Sequence, residues 1–136
     1  MIARLVGTLV SKQPTGSVVD VNGVGYAVLH SLYTFENLRP GPDGKVTILT
    51  YLHVREDALQ LFGFADDPER RVFELLLGVA GVGPKVALAV LSGLTPPAFA
   101  RAVQDENLAA LTRISGVGRK TAERIIIDLR DKLASA

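Results

Sequence analysis

Residues 58–79 read ALQLFGFADDPERRVFELLLGV, and within them the chain changes its period. Ala58 to Phe64 has the pattern of a strand, whereas Val72, Leu75, Leu76 and Val79 recur at the spacing of one helix face. Between them Asp67-Pro68 supplies a helix start: an aspartate that can cap, then a proline at the first helical position, where no N–H is needed. The boundary between two folding units is therefore expected at Phe64 to Pro68, with domains over residues 1–64 and 65–136.

Upstream of this boundary the chain is rich in β-branched residues and punctuated by turn formers. Strands are predicted over Ile2 to Ser11, Ser17 to Val21, Val24 to His30, Val46 to Val54 and Ala58 to Phe64. Asn22-Gly23 is a favoured two-residue hairpin turn, and Gly41-Pro42-Asp43-Gly44 is a second turn before the fourth strand. Ser31 to Leu38 reads as a short helix or an irregular crossing. Five short strands with one such interruption suit the five-stranded oligonucleotide/oligosaccharide-binding (OB) barrel, with a small sandwich fragment as the alternative.

Downstream the punctuation is that of helices. Thr95-Pro96-Pro97 repeats the cap-then-proline signal ahead of Ala98 to Gln104, and Asp105 is expected to cap Glu106 to Arg113. Pro84 to Leu91 and Arg119 to Lys132 complete five short helices, the last with Ala122, Ile125, Ile126 and Leu129 on one stripe. The fold class is thus α+β, a β barrel followed by an all-α domain.

Composition narrows the chemistry. The 136 residues suffice for one ordinary domain or two small ones, and 48% hydrophobic with 21% charged residues is a globular balance. No cysteine is present, so disulfides, thiol nucleophiles and cysteine-held metals are excluded, and a cytoplasmic location is the default expectation. His30 and His53 are too few for a histidine-built zinc site and are expected to pack or cap. Apolar runs fall far short of the roughly 20 residues that span a bilayer, so no membrane role is expected. Fifteen Lys and Arg against fourteen Asp and Glu leave a net charge of +1, so any nucleic-acid binding must rest on local placement.

Such placement occurs in a repeat. Val79 to Leu91 aligns with Ile114 to Ile126, matching Gly81 with Gly116, Val82 with Val117, Gly83 with Gly118, Lys85 with Lys120 and Ala87 with Ala122. Each unit reads helix, Gly-Val-Gly, then a new helix with a basic residue in its first turn. Glycines let the chain reverse within three residues and let a phosphate oxygen approach the backbone without meeting a Cβ. The next helix offers free N–H groups and the positive end of its dipole. Lys85, Arg119 and Lys120 sit in first turns, where that dipole disfavours cations unless an anion is present. A bound phosphate resolves the conflict, and contacts of this kind carry no base sequence information.

Two nucleotide motifs fail. A P-loop needs Gly-Lys-Ser/Thr as neighbours after a strand, whereas Arg119 separates Gly118 from Lys120-Thr121. The dinucleotide fingerprint needs a third glycine, and Val86 follows Gly81 and Gly83 at that point.

These paired helix-hairpin-helix units resemble those of the RuvA family, whose members bind Holliday junctions. The likeness covers essentially the whole chain: Met1 to Leu5 with Gly7, Val21 to Tyr26, Val54-Arg55-Glu56-Asp57-Ala58, Leu61 to Phe64, Gly81 to Lys85 and Gly118 to Arg124. The resemblance implies a homotetramer that holds a four-way junction open and nearly square, with Gly81, Gly83, Lys85, Gly116, Gly118, Arg119, Lys120 and Arg124 at the arm backbones. It leaves open whether one or two tetramers bind. Arg55, Glu56 and Asp57 match the family's pin, an acidic turn between the last two barrel strands at the junction centre. Four such pins would repel phosphates from the crossover while basic loops attract them farther out. Implied partners are the hexameric ATPase motor RuvB, which drives branch migration in recombination and repair, and the junction resolvase RuvC. No cofactor is expected on this chain, ATP and Mg²⁺ being used by the motor. The family continues into a third, motor-binding domain, whereas this sequence stops at Ser135-Ala136, a departure that leaves direct docking of the motor by this chain open.

The chain is accordingly expected to be a non-catalytic subunit. The enzyme-class rival is a Mg²⁺-dependent nuclease using Glu56 and Asp57, disfavoured because neighbouring side chains on a strand point apart. A single-strand binder acting through the barrel would need stacking aromatics, and the chain has 3 Tyr, 5 Phe and no Trp.

Overall fold

Asn22 and Gly23 take φ of 51° and 91°, the two left-handed residues that a tight hairpin with the strands' own twist requires. Asp20 Oδ1 accepts the Gly23 amide at 2.8 Å and fixes that turn. The computed structural model describes residues 1–134; Ser135 and Ala136, the end of the expected helical half, lie outside the described residues.

The strands are β1 (Arg4–Gln13), β2 (Gly16–Val21), β3 (Val24–Leu29), β4 (Val46–Val54) and β5 (Leu59–Phe64). They close into a barrel in the order β1-β2-β3-β5-β4, the OB arrangement and not a sandwich. Strand β1 serves two neighbours: Arg4 to Gly7 pair with β4 and Thr8 to Gln13 with β2, with a register shift between Leu9 and Ser11 that lets the strand bend. Closure between β3 and β5 rests on one parallel bridge, Leu29 to Phe62. Inside lie Leu5, Val19, Val28, Val46, Ile48 and Leu61, with Leu38 sealing the cluster. Gly63 is glycine because a Cβ there would come within 2.4 Å of both Ile48 and Val28 side chains.

Helix α1 (Leu32–Asn37) crosses between β3 and β4, capped by the Ser31 hydroxyl, which accepts the Thr34 amide at 3.1 Å. Five helices follow: α2 (Asp67–Leu77), α3 (Pro84–Gly93), α4 (Pro96–Gln104), α5 (Leu108–Thr112) and α6 (Arg119–Ala134). No single helix among the described residues is long and apolar enough to cross a membrane.

Two caps differ from those read in the sequence. Asp66, not Asp67, accepts the Glu69 amide at 2.9 Å, so Asp67 already lies in the helix and Pro68 sits one place further in. Asn107, not Asp105, caps α5 by accepting the Ala110 amide at 3.1 Å. Asp105 instead ends α4, and Glu106 turns the chain at φ 52°, so α5 starts later than expected. In both places two polar residues competed for one capping position, and the path of the chain chose between them. Thr95 caps α4 as read, accepting from Ala98 at 3.2 Å.

The chain forms two compact units, Met1–Arg70 and Arg71–Ala136. The first turn of α2 belongs to the former.

Candidate nucleic-acid interface

The two Gly-Val-Gly segments adopt the same backbone. Gly81 and Gly116 have φ of 87° and 88°, a conformation costly to any residue with a Cβ. Val82 and Val117 then turn inward and are buried, and each donates its amide to the residue three before it, Val79 at 3.1 Å and Ile114 at 3.0 Å. Gly83 and Gly118 start the next helices: their carbonyls accept the Ala87 and Ala122 amides at 3.0 and 2.9 Å. Ala87 and Ala122 are fully buried, as their small size allows.

The glycines of each pair therefore have different tasks. The first supplies a backbone angle. The second lies outside the left-handed region and leaves the start of the next helix open: a Cβ at Gly83 or Gly118 would meet nothing within 4 Å, as would one at Gly81. Gly83 is extended (φ −102°, ψ −178°) and offers no side-chain cap to α3, so the first amides of that helix remain available to an outside acceptor. The two copies also touch: a Cβ at Gly116 would lie 3.3 Å from the Val86 side chain on α3. The two Gly-Val-Gly loops thus belong to one packed body, Arg71–Ala136, which carries nine Lys and Arg against six Asp and Glu.

The basic side chains divide into two sets. Lys85 and Lys120 are exposed and have no ion-pair partner among the described residues. Arg119 Nε lies 3.3 Å from Glu123 Oε1 and Arg124 Nε 3.2 Å from Asp128 Oδ2, both one turn along α6. Exposed pairs of this kind are worth less than about 1 kcal/mol, so they hold the arginines only weakly. The i, i+4 spacing of Arg119 with Glu123 and of Arg124 with Asp128 is the sequence signal for this pre-pairing, which the reading of the repeat passed over.

Arg55, Glu56 and Asp57 lie in the turn joining β4 to β5, all exposed, closed by the Arg55 amide bonding to the Ala58 carbonyl at 2.8 Å. They are turn residues, so the argument that strand neighbours point apart does not apply to Glu56 and Asp57. Arg55 Nε donates to His53 Nε2 at 3.0 Å, and His53 meets the Phe62 ring edge-on at 6.3 Å between centroids. The turn is braced from below, with its two carboxylates outward. Among the described residues no group of three or more His, Asp or Glu is placed to hold a metal ion.

The family model for the RuvA N-terminal domain matches residues 1–63, and that for a SAM-like helix-hairpin-helix tandem matches residues 73–131. A protein of Thioalkalivibrio sulfidiphilus named Holliday junction branch migration complex subunit RuvA is 54% identical over 135 residues, covering 99% of this chain and 67% of its own length. The chain belongs to the RuvA family. RuvA proteins of the same name from Marinomonas sp. and Coxiella burnetii are 52% and 49% identical, over 100% and 98% of this chain and 68% and 66% of theirs. The chain thus spans about two-thirds of the length of these RuvA relatives. The resemblance read from the pin and the repeats is confirmed, and so is the barrel-plus-helical fold class that goes with the RuvA domains.

Proposed function

We propose that this chain binds four-way junction DNA without reading its sequence, as a tetramer that holds the junction open and nearly square while a RuvB motor drives branch migration. The observation that carries this reading is the duplicated loop: two Gly-Val-Gly turns of one geometry, each with open space at the second glycine and an unpaired lysine in the following helical turn. Gly81, Gly83 and Lys85 take one stretch of phosphate backbone, and Gly116, Gly118, Lys120, Arg119 and Arg124 take a second, the arginines exchanging Glu123 and Asp128 for phosphate.

Charge distribution supports the central role of the turn. Unit Met1–Arg70 carries six Lys and Arg against eight Asp and Glu, the reverse of the helical unit. With Glu56 and Asp57 at the crossover, phosphates are repelled there and drawn to the helical units, which favours a spread junction over a continuous duplex. The chain itself performs no bond-making step; it shapes DNA, in the cytoplasm, for the motor and for a resolvase of the RuvC kind.

A gel-shift comparison of a four-way junction with a linear duplex of equal length and sequence, at one salt concentration, tests this. Retardation of the junction at protein concentrations that leave the duplex free is expected. Equal affinity for the two would overturn the reading.

A further inference from the structure

The β4–β5 hairpin runs one rung beyond its last buried residue. Along its core-facing side Ile48, Thr50 and Leu52 alternate down β4, with Leu52 paired to the buried Leu61 of β5. The next pair on that side is Val54 with Leu59, directly opposite each other and joined by the turn that carries Glu56 and Asp57. These two side chains are 65% and 71% exposed. A hairpin that merely projects into water has no use for an apolar pair at its outermost rung, where polar residues cost nothing.

We propose that Val54 and Leu59 form an apolar shoulder beneath the acidic turn on which a DNA base stacks when it leaves its pair at the junction centre. The proposal rests on the junction reading above and adds a contact to it. Two features of the hairpin choose a base as the occupant. Glu56 and Asp57 stand two residues beyond the pair, so phosphate is kept away and only the uncharged part of a nucleotide is welcome. The patch is also small: two aliphatic side chains fall far short of the roughly 800 Å² per partner of a stable protein interface. Aliphatic side chains that contact base faces are an established way of stabilising an unstacked step. The Arg55 to His53 bond holds the turn firm enough to offer a fixed surface.

The test uses the whole chain and a four-way junction with 2-aminopurine beside the crossover, whose fluorescence rises as the base leaves its stack. Wild-type protein is expected to raise the signal. The V54T/L59Q double variant, which touches no core residue, is expected to lose about half of that rise or more while junction affinity changes less than about threefold, since the phosphate contacts remain. Gln60→Ser, on the opposite side of the hairpin, is expected to keep the full rise. An undiminished rise in the double variant would overturn the proposal. So would a smaller sedimenting species, which would show that the pair meets another copy of the chain. A wild-type chain with no preference for the junction would remove the underlying reading as well, a result visible before any variant is compared.

Discussion

The Ser31 hydroxyl donates to the Glu69 carboxylate while accepting the Thr34 amide, so one side chain both caps α1 and satisfies a fully buried acid. Glu69 also accepts from the Thr34 hydroxyl at 2.5 Å and from the Ala65 amide at 2.9 Å. A single carboxylate thereby ties the start of α1, the end of β5 and the first turn of α2 together within unit Met1–Arg70.

Glu69→Ala strands three buried donors, and at about 1 kcal/mol or more for each it should cost about 3 kcal/mol or more of stability in urea unfolding. Glu69→Gln keeps one accepting oxygen and should cost about half as much. Equal, small losses for both would show that the donors find other partners.

Stability should respond to pH through three groups of this unit. Burial lowers the His30 pKa from 6.5, so its contribution is complete above pH 6.5 and falls away as the pH drops below that value. Burial raises Glu69 from 4.5, which acts in the opposite sense: its contribution is greatest below 4.5 and is lost as the pH rises through the folded value. Tyr33, donating to Asp66 at 2.6 Å, is raised from 10.0 to about 12, so its contribution holds below pH 10 and disappears as the pH rises through 12. Tyr33→Phe should flatten the alkaline decline in thermal unfolding between those limits; an unchanged decline would assign it to another group.

The repeat glycines should separate by position. Gly83→Val and Gly118→Val place branches in open space and should leave the unfolding midpoint nearly unchanged while weakening junction and duplex binding alike. Gly81→Val and Gly116→Val force a β-branched residue to φ near 88° and should cost about 1–3 kcal/mol of stability. Circular dichroism and gel shifts on the four variants check this; the same loss of stability in all four would contradict the division of labour.

Lys85→Ala and Lys120→Ala should each lower the slope of log affinity against log salt by about one unit, the value of one displaced counterion. Arg119→Ala and Arg124→Ala should act less, because each arginine gives up a carboxylate to reach phosphate. A slope unaltered by both lysine changes would sink the assignment.

Neutralising the turn with Glu56→Gln and Asp57→Asn removes repulsion without removing a phosphate contact. Junction binding should persist or tighten, and the preference over linear duplex should fall. Both affinities measured at one salt concentration decide the matter, with an unaltered ratio counting against the turn.

The elements and their order could be read from the amino acids, because each rests on local chemistry: the period change after Phe64, the Asn22-Gly23 turn, prolines that open helices and a repeated Gly-Val-Gly. Membership of the RuvA family was legible for the same reason, the pin and the repeats being short contiguous motifs. Which nearby polar residue caps a helix was settled by the fold, Asp66 over Asp67 and Asn107 over Asp105. The fold alone showed that Gly81 and Gly83 differ in task, since the left-handed φ falls on Gly81 only, and that angle depends on the path of the whole chain. Most plainly, it buried Glu69 and left Val54 and Leu59 in the open, the reverse of what their side chains prefer. Burial is settled by what packs against a residue, and for Glu69 that partner is the Ser31–Thr34 turn, 35 to 38 positions earlier in the chain.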